Sequence, residues 1–135
     1  MKRLLLILTL LFTLSASAEM LIYRSTSFSY IYIDDDGRWT NWIDWEPSDC
    51  KIVFDVDDDL ITIYSKSPQV YEVVDYLGCK YDDGGGKQAI WSVKDSKDLE
   101  ATIRLRLEKT GNIQLYVNYS DMVWAYNLRS YYQDE

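Results

Sequence analysis

Residues 99–107 alternate strictly between apolar and polar side chains. The apolar positions are Leu99, Ala101, Ile103, Leu105 and Leu107, and a glutamate, a threonine and two arginines lie between them. Because successive side chains of a strand point to opposite faces, this period of two predicts a β-strand with one buried face.

The same period recurs along most of the chain. Residues 113–120 alternate in the same way after the turn at 109–112, so the two segments predict a hairpin. The Asp-Gly step at 36–37 predicts a second hairpin between 27–33 and 38–45. Turn signals recur about every ten residues, which favours a single antiparallel all-β meander of about eight strands, either a small barrel or a sandwich. The remaining predicted strands are 50–56, 60–65, 89–93 and 122–128.

Residues 68–77 fit two structures. Val70, Val73, Val74 and Leu77 fall at helical spacing, and a proline at position 68 suits a first helical turn. Valine and tyrosine nevertheless favour strands. We therefore expect a strand here, with a short helix at 68–77 as the alternative.

The N-terminal segment 1–18 has the layout of a secretory signal peptide. Lys2 and Arg3 precede an apolar run over 4–14, and Ala16, Ser17 and Ala18 form a small-x-small cleavage site. We expect cleavage after Ala18, export to the periplasm or the cell exterior, and one domain over 19–135. No later segment is apolar for long enough to cross a bilayer, so membrane insertion is not expected.

The chain is acidic, with 14 Lys and Arg against 22 Asp and Glu. Removal of Lys2 and Arg3 with the signal peptide leaves 12 basic side chains against 22 acidic ones, a net charge of −10. Such a field repels phosphate backbones and anionic lipids, which argues against nucleic acid and membrane surfaces as partners. A glycan or a protein partner remains open.

Cys50 and Cys79 are the only two cysteines. In an exported chain, an even pair predicts a disulfide, which here would close a loop of about 30 residues and contribute ~3 kcal/mol. In a plain meander, however, the two residues would lie at opposite ends of the sheet, roughly 20 Å apart. A disulfide needs about 6 Å between Cα atoms, so the meander and the disulfide conflict at this point.

Three of the five tryptophans lie within residues 39–45. On a regular strand, Trp39 and Trp45 would share a face, and Trp42 would point the other way. Large aromatic rings commonly fill cores, so we expect these three to be buried.

A ligand surface is the alternative interpretation of this segment. Trp39 and Trp45 would stack on the apolar face of a sugar, while Asn41, Asp44 and Asp49 would bind its hydroxyl groups. A protein interface, where tryptophan and tyrosine are also enriched, is the third interpretation.

The absence of histidine removes the commonest general base. What remains for catalysis is a carboxylate pair of the glycosidase kind, for which Asp44, Glu46 and Asp49 are the candidates. We therefore expect a non-enzymatic binding or interaction module, with a small carbohydrate-active enzyme or a structural accessory protein as the alternatives.

Runs of aspartate at 34–36 and 55–59 supply the oxygen ligands that Ca²⁺ prefers. Neither run continues as a twelve-residue calcium loop, and both lie between predicted strands, where aspartate favours turns. The Gly-Gly-Gly-Lys sequence at 84–87 departs from a phosphate-binding loop, because the first glycine of that motif would fall at Tyr81. We expect neither a metal nor a cofactor.

Short motifs resemble known families. Gly37, Arg38 and Trp39 resemble the Gly-x-Trp motif near the start of lipocalin-like barrels, and residues 37–41 resemble the first strand of avidin-type barrels. These resemblances imply an eight-stranded antiparallel barrel and no particular ligand. Residues 61–64, 111–117 and 124–128 resemble small exported proteins of gut Bacteroidales whose function is not established, which implies an all-β fold in a bacterial cell envelope and no active-site residues.

Overall fold

The computed structural model describes residues 20–55 and 57–130, and the predicted signal peptide lies outside these residues. All regular secondary structure in the described part of the chain is β-strand. No helix there has the length and the apolar run needed to cross a bilayer. The strands are β1 (Met20–Tyr32), β2 (Glu46–Pro47), β3 (Lys51–Asp55), β4 (Leu60–Tyr64), β5 (Gln69–Tyr81), β6 (Lys87–Lys94), β7 (Glu100–Leu107), β8 (Ile113–Asn118) and β9 (Met122–Ser130).

The strands form a closed antiparallel barrel. From β3 to β9, each strand pairs with the next one along the chain. β1 pairs with β3 on one edge and with β9 on the other, and this second pairing closes the barrel of eight strands. The short β2 is the extra strand, and it pairs with β1 at Ser27 and Phe28. The prediction of an all-β meander is therefore confirmed, as a barrel rather than as a sandwich.

The apolar positions of the alternating pattern fill the barrel. On β7, Ala101, Ile103 and Leu105 are buried as predicted. Trp91 of β6 is the largest fully buried side chain, and its ring contacts the ring of Phe54 at a centroid distance of 5.8 Å. Burial of such side chains contributes roughly 1.5–3 kcal/mol each, so this core is the main source of stability.

A β-bulge in β1 changes which of its side chains face the interior of the barrel. The register against β9 shifts between Ser25 and Ser27, so that Thr26 is an extra residue. Ser25 aligns with Leu128 before the bulge, and Phe28 aligns with Tyr126 after it. Since an inserted residue changes the parity of every later position, the even-numbered residues of β1 face the interior beyond this point.

The alternative of a helix at 68–77 is wrong, because this segment lies within β5. Tyr71 and Val73 are buried in the barrel, as a period of two requires. Two register shifts against β6 then interrupt the pattern, between Val73 and Asp75 and between Tyr76 and Gly78. Val74 and Leu77 are the extra residues of these two bulges, and both are exposed. Their positions after Val70 and Val73 produce the spacing that resembled a helix.

The predicted disulfide is also wrong, since Cys50 and Cys79 are both free thiols. Cys50 directly precedes β3, at the end of the sheet where β5 begins with Gln69. Cys79 lies ten residues further along β5, roughly 30 Å away at about 3.3 Å per residue. The antiparallel meander therefore holds the two thiols apart.

The segment 38–45, predicted as the second strand of a hairpin, is not a regular strand. It does run back along β1, with a single bridge between Ile33 and Trp39. The N–H of Thr40 donates to the carbonyl of Tyr32 at 2.8 Å, and the N–H of Ile43 donates to that of Tyr30 at 3.2 Å. Between these two hydrogen bonds, the segment advances by three residues, from Thr40 to Ile43, whereas β1 advances by two, from Tyr30 to Tyr32. The extra residue breaks the alternation of side chains between the two faces.

Four turns in the described chain share one geometry. The first residue is acidic, its N–H donates to the carbonyl of the fifth residue, and the fourth residue has a positive φ. In three of the turns, the first carboxylate also accepts the N–H groups of the third and fifth residues, at 2.9–3.1 Å. The aspartate run at 34–36 thus belongs to such a turn. Leu99, predicted as the first inward residue of its strand, also lies in such a turn and is exposed. The turns are 34–38, 82–86, 95–99 and 108–112.

We expect the isolated monomer to contain two free thiols and to show the same Tm with and without a reductant. The reason is that Cys50 lies beside the start of β5, whereas Cys79 lies near the far end of that strand. Thiol titration in denaturant and thermal unfolding monitored by circular dichroism measure this. A mass 2 Da below the reduced value, together with a fall in Tm on reduction, would contradict it.

Acid should destabilise the barrel through two turn carboxylates. Hydrogen bonding, chiefly from Arg106, lowers the pKa of Asp82, and hydrogen bonding, chiefly from the N–H of Leu99, lowers the pKa of Asp95. A carboxylate with a lower pKa in the folded chain stabilises that chain above its unfolded pKa of about 3.9, and this stabilisation is lost as the pH falls through the folded value.

Urea unfolding at pH 5 and at pH 3 tests this expectation. The midpoint should fall with acid in the wild-type protein and fall less in the double variant Asp82→Asn/Asp95→Asn, whose amides do not titrate. The matched control is Asp35→Asn/Asp83→Asn, because both are exposed and each is the second residue of a turn with the same geometry. Equal acid dependence in the wild type and in the first variant would refute the assignment.

Candidate functional site

An open cavity of about 420 Å³ lies at one end of the barrel, where β1 ends and β9 begins. It lies directly above the core, because Tyr126 belongs to the core cluster and Phe28, Cys50 and Trp124 pack against it. We call this site the mouth cavity. Its lining residues are Phe28, Tyr30, Ser48, Cys50, Ser65, Gln69, Met122, Trp124 and Tyr126.

One wall of the mouth cavity is aromatic. Phe28 and Tyr30 of β1 align with Tyr126 and Trp124 of β9, respectively. The rings of Phe28 and Tyr126 lie 6.3 Å apart, within the range of favourable aromatic contact. The bulge at Thr26 explains this wall, since it turns Phe28 and Tyr30 toward the interior.

A second wall carries neutral polar groups. The hydroxyl of Ser48 lies 2.7 Å from that of the buried Ser25 and 3.7 Å from the Cys50 sulfur. Across the strand ends, Gln69 Nε2 donates to Ser65 Oγ at 3.3 Å. These groups offer both donors and acceptors at the edge of an otherwise apolar space.

Tyrosines behind the second wall fix the side chain of Gln69. The hydroxyl of buried Tyr71 donates to Gln69 Oε1 at 2.7 Å, and Tyr119 donates to Asp95 at 2.8 Å. Burial raises the pKa of Tyr126 to about 12, and it also raises that of Tyr71. Both phenols are therefore neutral at physiological pH, where they act as hydrogen-bonding groups.

A second site lies on the outside of the barrel. A groove of about 300 Å³ is lined by Ser29, Trp42, Trp45, Tyr116 and Ala125, and we call it the outer groove. The segment 38–45 forms one side of it. This segment is held to β1 by its two backbone hydrogen bonds and by the Ser29 hydroxyl, which donates to the carbonyl of Ile43 at 2.7 Å.

The expected burial of the three clustered tryptophans is wrong. Trp39, Trp42 and Trp45 are 47%, 46% and 47% exposed. The pair that shares a site is Trp42 with Trp45, whereas the parity of a regular strand predicted Trp39 with Trp45. The broken alternation between Thr40 and Ile43 accounts for this difference.

The polar residues of the predicted sugar site, Asn41, Asp44 and Asp49, line neither the mouth cavity nor the outer groove. Asn41 and Asp44 are exposed. Asp49 forms an ion pair with Arg24, with 2.6 Å between Oδ1 and Nε. Glu46, a candidate for the catalytic pair, is exposed on β2 beside Phe28.

Among the described residues, no three acidic or cysteine side chains come together in an arrangement that could hold a metal ion. The carboxylate of Asp34 instead accepts the backbone N–H groups of Asp36 and Arg38. That of Asp55 accepts the N–H of Asp58 at 3.3 Å.

Sequence analysis missed most residues of both sites. For the mouth cavity, a signal was present, because Tyr30 and Trp124 are large aromatic residues within predicted strands. For the outer groove, the missed residues are Ser29, Trp42, Tyr116 and Ala125. The β8–β9 hairpin aligns Tyr116 with Ala125, and only the closure of β1 on β9 adds Ser29 to them.

Comparison with protein-family models, with curated proteins and with solved structures finds no match to this chain.

Acrylamide quenching of tryptophan fluorescence should separate two populations of rings. Trp39, Trp42 and Trp45 are exposed, whereas Trp91 is fully buried. We expect a red-shifted, readily quenched component that disappears when all three exposed residues are changed to Phe. The control is Trp91→Phe, which should remove blue-shifted emission and leave the quenchable part. A wild-type spectrum that is uniformly blue-shifted and resistant to quenching would contradict these positions.

Proposed function

We propose that the chain is an exported, non-enzymatic binding module that takes a small, neutral, largely apolar ligand in the mouth cavity. The observation that carries this proposal is the composition of the lining, in which aromatic and neutral polar residues occur without any Asp, Glu, Lys or Arg. Small-molecule sites are commonly concave, mostly apolar and fitted with a few polar groups, and their volumes run from about 300 to 1,000 Å³.

The ligand should be flat and should carry one or two polar groups. The aromatic wall formed by Phe28, Tyr30, Trp124 and Tyr126 offers ring surfaces. The hydroxyls and the Gln69 amide of the second wall suit neutral oxygen or nitrogen atoms. An ionised ligand is disfavoured, because a charge taken out of water needs a partner of opposite charge.

Binding without catalysis fits the chemistry of this lining. The mouth cavity contains no carboxylate, and the chain has no histidine, so the usual general bases are missing from its wall. The basic, apolar and small-residue order of segment 1–18 supports export, which would place the site in the periplasm or outside the cell.

A pair of fluorescent probes tests the proposal directly. N-phenyl-1-naphthylamine is neutral, and 1-anilinonaphthalene-8-sulfonate has the same ring system with an added sulfonate. We expect saturable binding of the neutral probe and at least tenfold weaker binding of the anionic one. The titration should be repeated in 0.5 M salt, where long-range repulsion by the acidic protein is screened, so that the remaining difference reports the site.

Variants locate the probe in the mouth cavity. Tyr30→Ala removes part of the aromatic wall and should weaken binding of the neutral probe about tenfold, or ~1.4 kcal/mol. The matched control is Tyr64→Ala, because Tyr64 is exposed on β4 and does not line the cavity. Equal affinities for the two probes in high salt, or equal effects of the two variants, would refute the proposal.

A further inference from the structure

We propose that the outer groove binds a pyranose ring of a neutral glycan, at a site separate from the mouth cavity. The residues that carry this inference are Trp42, Trp45 and Tyr116, together with a row of hydrogen-bonded polar side chains beside them. The proposal does not depend on a ligand in the mouth cavity.

The floor of the outer groove is formed by two small side chains, Ser29 and Ala125, in a cross-strand row that continues to Tyr116. Ser29 of β1 aligns with Ala125 of β9, which aligns with Tyr116 of β8. Both Ser29 and Ala125 line the groove, and each is only 1% exposed. A larger side chain at either position would fill the groove.

Aromatic rings form the sides of the groove. Trp42 and Trp45 remain nearly half exposed although both rings line it. Trp42 meets the ring of Tyr116 edge to face, with 6.4 Å between centroids. Such rings offer an apolar face to the C–H side of a pyranose, and the indole N–H and phenol O–H suit its hydroxyl groups.

The Tyr116 ring is held in place on its own sheet. The guanidinium of Arg104 lies over it, 4.3 Å from the ring centroid, in the geometry of a cation–π contact. Arg104 is itself fixed by Asn118 at 3.1 Å and by Gln88 at 3.3 Å. The Tyr116 hydroxyl donates to Gln114 at 3.0 Å. The ring is thus oriented before any ligand arrives, which lowers the entropy cost of binding.

A second cross-strand row, of neutral polar side chains, lies beside the floor. Its members are Ser27, Asn127 and Gln114, each two residues along its strand from a residue of the first row. Gln114 Nε2 donates to Asn127 Oδ1 at 2.9 Å, and Asn127 Nδ2 donates to Ser27 Oγ at 2.9 Å. Arg106 extends this row by donating to Gln114 at 3.1 Å. The row places fixed donors and acceptors next to the aromatic sides, where the hydroxyl edge of a sugar would lie.

The net charge of the chain favours a neutral sugar over an acidic one. The positive charge of Arg106 is matched by Asp82, at 2.8 Å, and by Glu108. The chain carries a net charge of −8, which repels acidic polymers. A neutral glycan meets the same rings and amides without that repulsion.

Affinity electrophoresis of the folded protein in gels with soluble polysaccharides tests this proposal. The neutral probes are a β-glucan, a mannan, a xylan and a galactan, and the acidic probes are polygalacturonate and alginate. We expect retardation by at least one neutral polymer and at least a tenfold loss of affinity in Trp42→Ala and in Trp45→Ala. The matched control is Trp39→Ala, which removes an equally exposed ring outside the groove and should change the affinity less than twofold.

Two further variants keep the result unambiguous. Ala125→Met fills the floor without removing a ring, and it should also abolish retardation while thermal unfolding confirms a folded barrel. Tyr64→Ala, which removes an exposed ring of β4 outside both sites, should leave sugar binding unchanged. The proposal is overturned if no neutral polymer retards the protein, if only the acidic polymers do, or if Trp39→Ala weakens binding as much as Trp42→Ala.

Discussion

The antiparallel pairing of β1 with β9 is the contact on which the rest of the structure depends. These strands lie at opposite ends of the described chain, yet they align from Tyr23 with Ser130 to Tyr32 with Met122. Hairpins between neighbouring strands form locally, whereas this closure joins residues about 100 positions apart and carries the larger loop entropy. In return, it removes two free sheet edges and encloses the core around Trp91.

Both candidate sites follow from the bulge at Thr26 in the closing strand. Beyond it, Phe28 and Tyr30 face the interior and line the mouth cavity, while Ser29 faces outward and forms the floor of the outer groove. Without the extra residue, these side chains would exchange faces, because a shift of one position reverses a strand. The inner and outer sites are therefore two faces of the same short stretch of β1 and β9.

The sequence was sufficient for the strands and insufficient for the sites. Strict alternation at 99–107 and 113–120 predicted β7 and β8 to within two residues, because one face of each strand is buried. Alternation fails where the chain contains an extra residue. The bulges of β5 made that strand resemble a helix, and the extra residue between Thr40 and Ile43 made the prediction that Trp39 and Trp45 share a face incorrect. The site residues Ala125 and Tyr116 adjoin Ser29 only after closure, and no local pattern records that contact. The predicted disulfide is wrong for a related reason. The number of cysteines does not show where the long strand β5 places Cys79 relative to Cys50.

The exposure of Trp42 and Trp45 is the feature that packing alone does not explain. Burying a large aromatic side chain contributes a few kcal/mol, and both rings forgo much of that contribution. Their segment is nevertheless fixed by the hydrogen bonds of Thr40, Ile43 and Ser29 rather than left loose. Below the rings, the sheet presents Ala125 and Ser29, two small residues that line the groove. The groove therefore leaves Trp42 and Trp45 nearly half exposed above two small residues, and this arrangement lowers the stability of the fold. Such a loss of stability is expected of a surface that binds a ligand.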